Sequence, residues 1–354
     1  MNRDAIFSLG SWGARVPLPA GKVPPDILAD LLRIPRGDSP DVLIPPTVGE
    51  DAAVVRIGDG LVAIATDPIT FPTSRPGLFS VCVNANDLAV TGARPAFFTL
   101  TMLLPVGTCA EEIAAMIKDA VSAGDACGAV LIGGHTEMTD AVTRPVLSVT
   151  MFGELVTEEP LRTGGACAGD ALIQVNPLAI EGTAILAEMH HADLLSVLGE
   201  EGTAKAVSLV YDPGLSVVEA ALSVADLPGV HAMHDPTEGG LATGAREMAE
   251  ASGVGLSVVH SSLLMLDVTE SVCRVAGCDP LGLISSGCLL ISTSQEAVEE
   301  VLRVVQAGGR REAAVIGQFT TESDLVLVDR AGQAGALPVF EVDQLAMEPR
   351  KQVT

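Results

Sequence analysis

The sequence predicts an α/β protein of two domains, and three observations carry that expectation. Runs with a two-residue apolar period alternate with runs of helical period along the chain. At 354 residues and 48% hydrophobic content, the chain is long enough for two units of roughly 100 to 200 residues each. The alternation restarts near Leu161 after the polar, turn-rich stretch TEEPLRTGG, which marks a boundary between 155 and 165. The expected division is 1–157, 158–332 and a C-terminal tail, 333–354. With aromatic residues at 3%, Ala, Val and Leu must build the core.

The elements follow in order. Residues 52–57 and 61–66 read as strands joined by Gly58-Asp59-Gly60, a strong hairpin signal. GLFSVCVNANDLAVTGA (77–93) reads as a helix and RPAFFTLTMLLP (94–105) as a strand. TCAEEIAAMIKDAVSAGDACG reads as a second helix capped by Thr108, with Ile113, Met116, Ile117, Ala120 and Val121 on one buried stripe. AVLIGG and PVLSVTMFGEL supply two more strands. The first half is therefore expected to be a mainly antiparallel sheet with helices on one face. FFTLTMLL (97–104) and VLSVTMF (146–152) are apolar on both faces, and an uncovered apolar face marks an interface. A second copy of the chain is the expected cover, with Leu100 and Met102 at the contact, the alternative being that the second domain covers this face within one chain. In the second half, 241–252 and 295–307 read as helices, the latter with Val298, Val301, Leu302 and Val305 on one face.

Composition excludes some functions. The 45 acidic against 20 basic residues leave a net charge of -25, unsuited to nucleic acid, whose affinity rests on Lys and Arg. The start, MNRDAIFSLGSWGAR, lacks a signal-peptide core, and no apolar run approaches about 18 uninterrupted residues. A cytoplasmic protein without a membrane span is expected. Seven cysteines lack a C-x-x-C pair; the close pair Cys273 and Cys278 reads as small buried residues.

Chemistry concentrates in five glycine and acid clusters: GEDAA (49–53), TDPIT (66–70), NANDLAVTGA (84–93), GGHTEM (133–138) and HDPTEGGLA (234–242). Singly, each is explained as well by turn formation. Together, loops at one sheet edge would gather Asp51, Asp67, Asp87 and the 133–137 loop. Clustered carboxylates repel unless a cation neutralises them, and Mg2+ takes one or two carboxylates with phosphate oxygens and water. The only lysines are Lys22, Lys118, Lys205 and Lys351, with no G-x-x-x-x-G-K-[ST] loop. Phosphates would be met by metal, glycine-loop amides and a helix start.

GEDAAV, TDPIT, NANDLAVTGARP, the GG-x-T element, TGGACAGDALI with IEGTAILA, and HDPTEGGLATGAREMA, in this order, resemble the aminoimidazole ribonucleotide (AIR) synthetase, or PurM-like, superfamily. AGKVPPDILADLL, DPTEGGLA and DPLGLISSG are similar to its HypE branch of hydrogenase maturation factors. The resemblance implies an N-terminal α/β domain whose strands close a barrel across a homodimer and a C-terminal α/β domain covering the site. It also implies ATP and Mg2+ in the cleft, with the γ-phosphate passed to an oxygen of a small-molecule substrate. By position, Asp51, Asp67 and Asp87 correspond to metal ligands, with His135 and Glu137 beside them. Asn86, Gly133, Gly134, Thr136, Asp235, Gly239 and Gly240 correspond to nucleotide-binding positions.

Three departures qualify what the resemblance implies. His135 stands where the superfamily often has Asp or Glu, and imidazole suits softer metals than Mg2+. Glu238 stands where the HypE pattern has Arg, reading either as a change of substrate charge or as a first-turn acid favoured by the helix dipole. The chain ends LAMEPRKQVT, and its last cysteine is Cys288, so cyanide-ligand synthesis on its own tail is not expected. The surviving expectations are an ATP-dependent phosphoryl-transfer enzyme, a non-catalytic nucleotide-binding or assembly module, and a HypE-like protein acting on a partner's cysteine.

Overall fold

The structure is a computed structural model that describes residues 18, 21–34, 37–307, 309 and 311–347. The first half runs α1 (Pro25–Leu32), β1 (Val42–Ile44), β2 (Ala53–Ile57), β3 (Gly60–Ile69), α2 (Pro76–Val90), β4 (Ala93–Pro105), α3 (Ala110–Cys127), β5 (Val130–Thr139) and β6 (Val146–Leu155). Six strands form one sheet in the order β1-β2-β3-β6-β4-β5, parallel only at β4/β5. The β2/β3 hairpin turns at Gly58 with φ 62°, a left-handed conformation that glycine adopts without a Cβ penalty.

Helices α2 and α3 cover one face. Beneath them lie Phe98, Leu100, Met102 and Leu104 of β4 and Leu147, Val149 and Met151 of β6, all buried. Leu100 is 4% and Met102 1% exposed, so both face the helices, and the expectation that they form an intermolecular contact is wrong. The alternation puts their neighbours on the open face instead: Phe97, Thr99, Thr101 and Leu103, in register with Phe152, Thr150, Ser148 and Val146. That face is apolar at one end, where Ile64, Phe152 and Phe97 share a row, and hydroxyl-rich beyond, where the Thr66 and Thr150 hydroxyls lie 3.1 Å apart.

Several local boundaries differ from expectation. The cap of α3 is Cys109, whose N–H donates to Glu112 Oε2 at 2.8 Å, whereas the Thr108 hydroxyl donates to Pro105 O and closes the preceding turn. On α3, Val121 is exposed and Ala123 and Gly124 are buried, because Gly124 packs against the Phe98 ring too closely for a Cβ. GGHTEM is strand β5, not a loop. β3 continues past Asp67 to Ile69, and Pro68 is tolerated where β3 has lost its β2 neighbour.

The second half runs β7 (Ala171–Val175), α4 (Ile180–Met189), α5 (His191–Ser208), α6 (Val218–Val224), β8 (Val230–His234), α7 (Gly240–Ser252), β9 (Gly255–Val259), α8 (Asp267–Ala276), β10 (Leu289–Thr293), α9 (Val298–Val305), β11 (Ala313–Thr320), β12 (Leu325–Val328) and β13 (Ala334–Ala336). Its sheet has the order β13-β12-β9-β11-β7-β10-β8. The central strands β7 and β10 are buried throughout, consistent with their continuous apolar runs. The span 191–224 is apolar and long enough to resemble a membrane helix, but it is broken at Gly199 and at Asp212-Pro213. The tail beyond Gly332, which lacks periodicity, nevertheless pairs β13 with β12.

The halves are joined at α2. Buried Asn86 donates from Nδ2 to Leu215 O and accepts from Val217 N on Oδ1, both at 2.9 Å.

Candidate functional site

The site forms where β2, β3, α2, β8 and α7 converge. Asp51 precedes β2, Asp67 lies on β3, Asp87 in the last turn of α2, Asp235 just after β8 and Glu247 on α7. Carboxylate oxygens of Asp51, Asp87 and Asp235 lie within 4.8 Å of one another. Asp235 is 1% exposed, and among the described residues neither of its oxygens has a hydrogen-bond partner. A buried carboxylate without donors is costly, and burial together with its acidic neighbours pushes the pKa values of Asp235 and Asp87 well above the usual range. Buried oxygens of this kind converging from three elements fit a divalent cation, which would restore their charge.

Asp67 stands beside this group. It shares the helix-covered side of β3 with buried Ala65 and Ile69, which answers why an acid sits in an apolar strand: it points into the site. The Asn84 side chain clamps its backbone, accepting from Asp67 N at 2.8 Å and donating to Asp67 O at 3.2 Å. Burial raises the Asp67 pKa, Lys22 opposes that shift and Asp51 adds to it.

Cations missing from the sequence reading balance the acids. His234 Nδ1 meets Asp51 Oδ2 at 2.9 Å, and its Nε2 meets Glu247 Oε2 at 3.3 Å. Burial disfavours the imidazolium, but Asp51 and Glu247 outweigh it and raise the His234 pKa well above its ordinary value. His234 thus lies between two carboxylates that favour its charged form. The Lys22 ammonium donates to Thr237 Oγ1 at 3.2 Å. The residue is exposed to solvent, which screens these interactions; desolvation at the ammonium works against its charge, while Glu247, Asp67, Glu238 and Asp51 together raise its pKa. Lysine scarcity and the AGKVPP stretch were the available signals for Lys22; nothing local pointed to Glu247.

A second acidic group surrounds the start of α7. Gly239 (φ 81°) is the N-cap, and its N–H donates to Asp343 Oδ2 of the tail at 2.6 Å. Gly240 lies too close to the Leu281 and Leu283 carbonyls for any side chain. Burial pushes the Asp343 carboxyl up to about 6, and burial raises Glu181 to about 7 although Ser286 opposes it. Glu238 precedes the N-cap and so lies outside the first helical turn.

The remaining expected residues lie elsewhere. His135 and Glu137 pair with each other at 3.0 Å on exposed β5. They share the open face of the sheet with Thr101 and Leu103, opposite the face of Asp67. The row Asp67, Val149, Leu100, Gly134 also puts three strand spacings, about 14 Å, between β3 and β5. Within one chain, His135 and Glu137 therefore cannot share an ion with Asp67, and the expected gathering of the 133–137 segment with the acids is corrected. Gly133 and Thr136 are likewise exposed on β5. Gly134 is explained by packing, since a Cβ would meet Leu100 O at 1.9 Å. Both ends of the Asn86 amide are used in joining the two halves, which corrects its expected place among nucleotide contacts. Cys288 is buried, and burial pushes its thiol pKa up.

Comparison with known proteins places the chain in a family. The description "AIR synthase related protein, N-terminal domain" matches residues 49–155, and the corresponding C-terminal domain matches 168–330. The chain belongs to the AIR synthase-related family. Within that PurM-like superfamily it lies close to HypE. It is 27% identical over 301 residues to the carbamoyl dehydratase HypE of Escherichia coli, covering 83% of this chain and 86% of that protein. It is 29% identical over 337 residues to the selenide, water dikinase of Paraburkholderia xenovorans, covering 85% and 91%. The crystal structure of the hydrogenase maturation protein HypE in complex with ATP superposes with a TM-score of 0.71 at 23% identity, covering 87% of this chain and 92% of that one. The two-domain PurM-like α/β fold expected from the sequence is thereby shown.

Proposed function

We propose that this AIR synthase-related chain is an ATP- and Mg2+-dependent phosphoryl-transfer enzyme that activates an oxygen of a small substrate. The observation that carries the reading is Asp235, whose two buried oxygens have no donor among the described residues and converge with Asp51 and Asp87. Mg2+ bound there would neutralise phosphate charge, the main requirement of phosphoryl transfer. The chain's own residues orient that charge. His234 fixes the Asp51 carboxylate through Nδ1, and Lys22 stands over Asp67 and Glu247 as a further positive group for phosphate oxygens. The first two amides at the start of α7 already donate, Gly239 N to Asp343 Oδ2 and Gly240 N to Thr237 O, so phosphate there would draw on the helix dipole and the amides that follow.

The division at 1–157 and 158–332 is part of this reading, as is a homodimer in which the open face of the first sheet meets its copy. Exposed Phe97 beside Phe152 and Ile64 supports that packing. In such a dimer Gly133, His135 and Glu137 of β5 would lie on the covered face, while Thr136, in register with Met102, belongs to the helix side.

A HypE-like reaction on a partner's cysteine is the second reading, favoured by the HypE relatives and by the buried state of Cys288. Both readings require metal-dependent nucleotide binding. Calorimetric titration of ATP should show binding with Mg2+ and none in EDTA. Equal affinity in EDTA would overturn the proposal.

A further inference from the structure

A second cluster of metal-ligating side chains lies outside the acid site. The segment TGGACAGD, before β7, carries Cys167 and Asp170, and β8 carries His231. The Cys167 thiol, a His231 ring nitrogen and an Asp170 carboxylate oxygen lie within 4.8 Å of one another. The cluster is separate from the carboxylate site. His231 and His234 are three residues apart along one strand, about 10 Å, and the β8/β10 register shifts beside His231.

The arrangement is held rigidly. Asp170 Oδ2 meets His231 Nδ1 at 2.8 Å and accepts from Cys167 N at 2.9 Å and the Ser292 hydroxyl at 2.7 Å. Asp170 N in turn donates to Cys167 O at 3.0 Å. Gly165 lets the segment lie flush on β8, since a Cβ there would meet His231 O at 2.3 Å. Asp170 is buried, His231 half-buried and Cys167 exposed, so the cluster is anchored inside and open to solvent at its sulfur.

We propose that Cys167, Asp170 and His231 bind a divalent cation of the Zn2+ class. Thiolate and imidazole favour such ions over Mg2+, and three protein ligands with an open position match a four-coordinate site completed by water. Binding releases the thiol proton to solvent. The ring proton now shared with Asp170 moves to the other nitrogen, leaving Nδ1 free to ligate and the imidazole neutral.

The full chain should be titrated with Co2+, used as an optical stand-in for Zn2+, in excess Mg2+ that occupies the carboxylate site. The expected result is one equivalent of Co2+ giving a near-ultraviolet thiolate-to-metal band that Zn2+ abolishes. The carboxylates of the other site cannot produce such a band. Cys167→Ser, a change at an exposed position, should remove the band. His231→Gln should weaken binding about tenfold or more, and Cys109→Ser, at another exposed cysteine, should leave the band unchanged. No band in the unmodified protein, or a band that persists in Cys167→Ser, would overturn the proposal.

Discussion

Replacing Asp235 with Asn should make the protein more stable without metal and less responsive to it. Asp235 is buried without donors, and its carboxylate lies within 4.8 Å of those of Asp51 and Asp87. At that distance two full charges repel by roughly 3 kcal/mol at an effective dielectric constant of about 20. Partial protonation relieves some of this repulsion, so the gain expected for the amide at pH 8 in EDTA is about 1 to 3 kcal/mol. The Asn amide can also donate to the two remaining carboxylates, so the substitution adds no orphaned donor. Magnesium reverses the ranking: at roughly one hundred times its dissociation constant a ligand adds about 2.7 kcal/mol to the state that binds it, and the variant lacks one of three ligands. Thermal unfolding of both proteins, with EDTA and with Mg2+, reads the two effects separately. If the unmodified protein is the more stable in EDTA and both gain equally from Mg2+, the cluster is not a cation site.

Three further outcomes follow from the geometry. Glu181 is buried and raised from 4.5 to about 7, so the folded state holds a proton that the unfolded state has released. Its penalty is absent below about 4.5 and complete above about 7, worth on the order of 3 kcal/mol; the urea midpoint should fall from pH 5 to pH 8 and Glu181→Gln should flatten that fall. Lys22→Ala should leave the urea midpoint nearly unchanged yet weaken ATP binding with Mg2+ by about 1 to 3 kcal/mol, and unchanged calorimetric affinity would remove Lys22 from the site. On the open face, Phe97→Asp should yield a folded monomer by light scattering, whereas Leu100→Asp, under α2 and α3, should unfold the chain; an unmodified protein that is already monomeric would end the dimer reading.

The legible parts of the fold were those that local pattern controls. Hairpin glycines and alternating apolar residues placed β2, β3, β4 and β6, and helical periodicity placed α2, α3 and α7. β5 was less legible because Gly133, Gly134 and Thr136 carry turn chemistry, and only pairing with β4 extends them into a strand. Leu100 and Met102 were put on the wrong face because β4 is apolar on both sides, and only the helices above it decide which side is covered. At the site, Asp51, Asp67 and Asp87 stood out as acids at the edges of apolar runs. The long-range contacts of the site did not: His234 reaches Asp51 across 183 positions of sequence, and Asp343 reaches Gly239 across 104. Such contacts belong to the tertiary arrangement and leave no periodic trace.

Asn86 and Asp87 are consecutive residues of α2, one gripping the 215–217 backbone and the other facing the acid cluster. That adjacency has a mechanical result. An amide saturated at both ends and sealed from water makes a poor hinge, because parting the halves there would strand two backbone groups in the interior. The ion pair of His234 with Asp51 spans the same seam. The contacts at this seam hold the two sheets fixed relative to one another, like the jaws of a set vice.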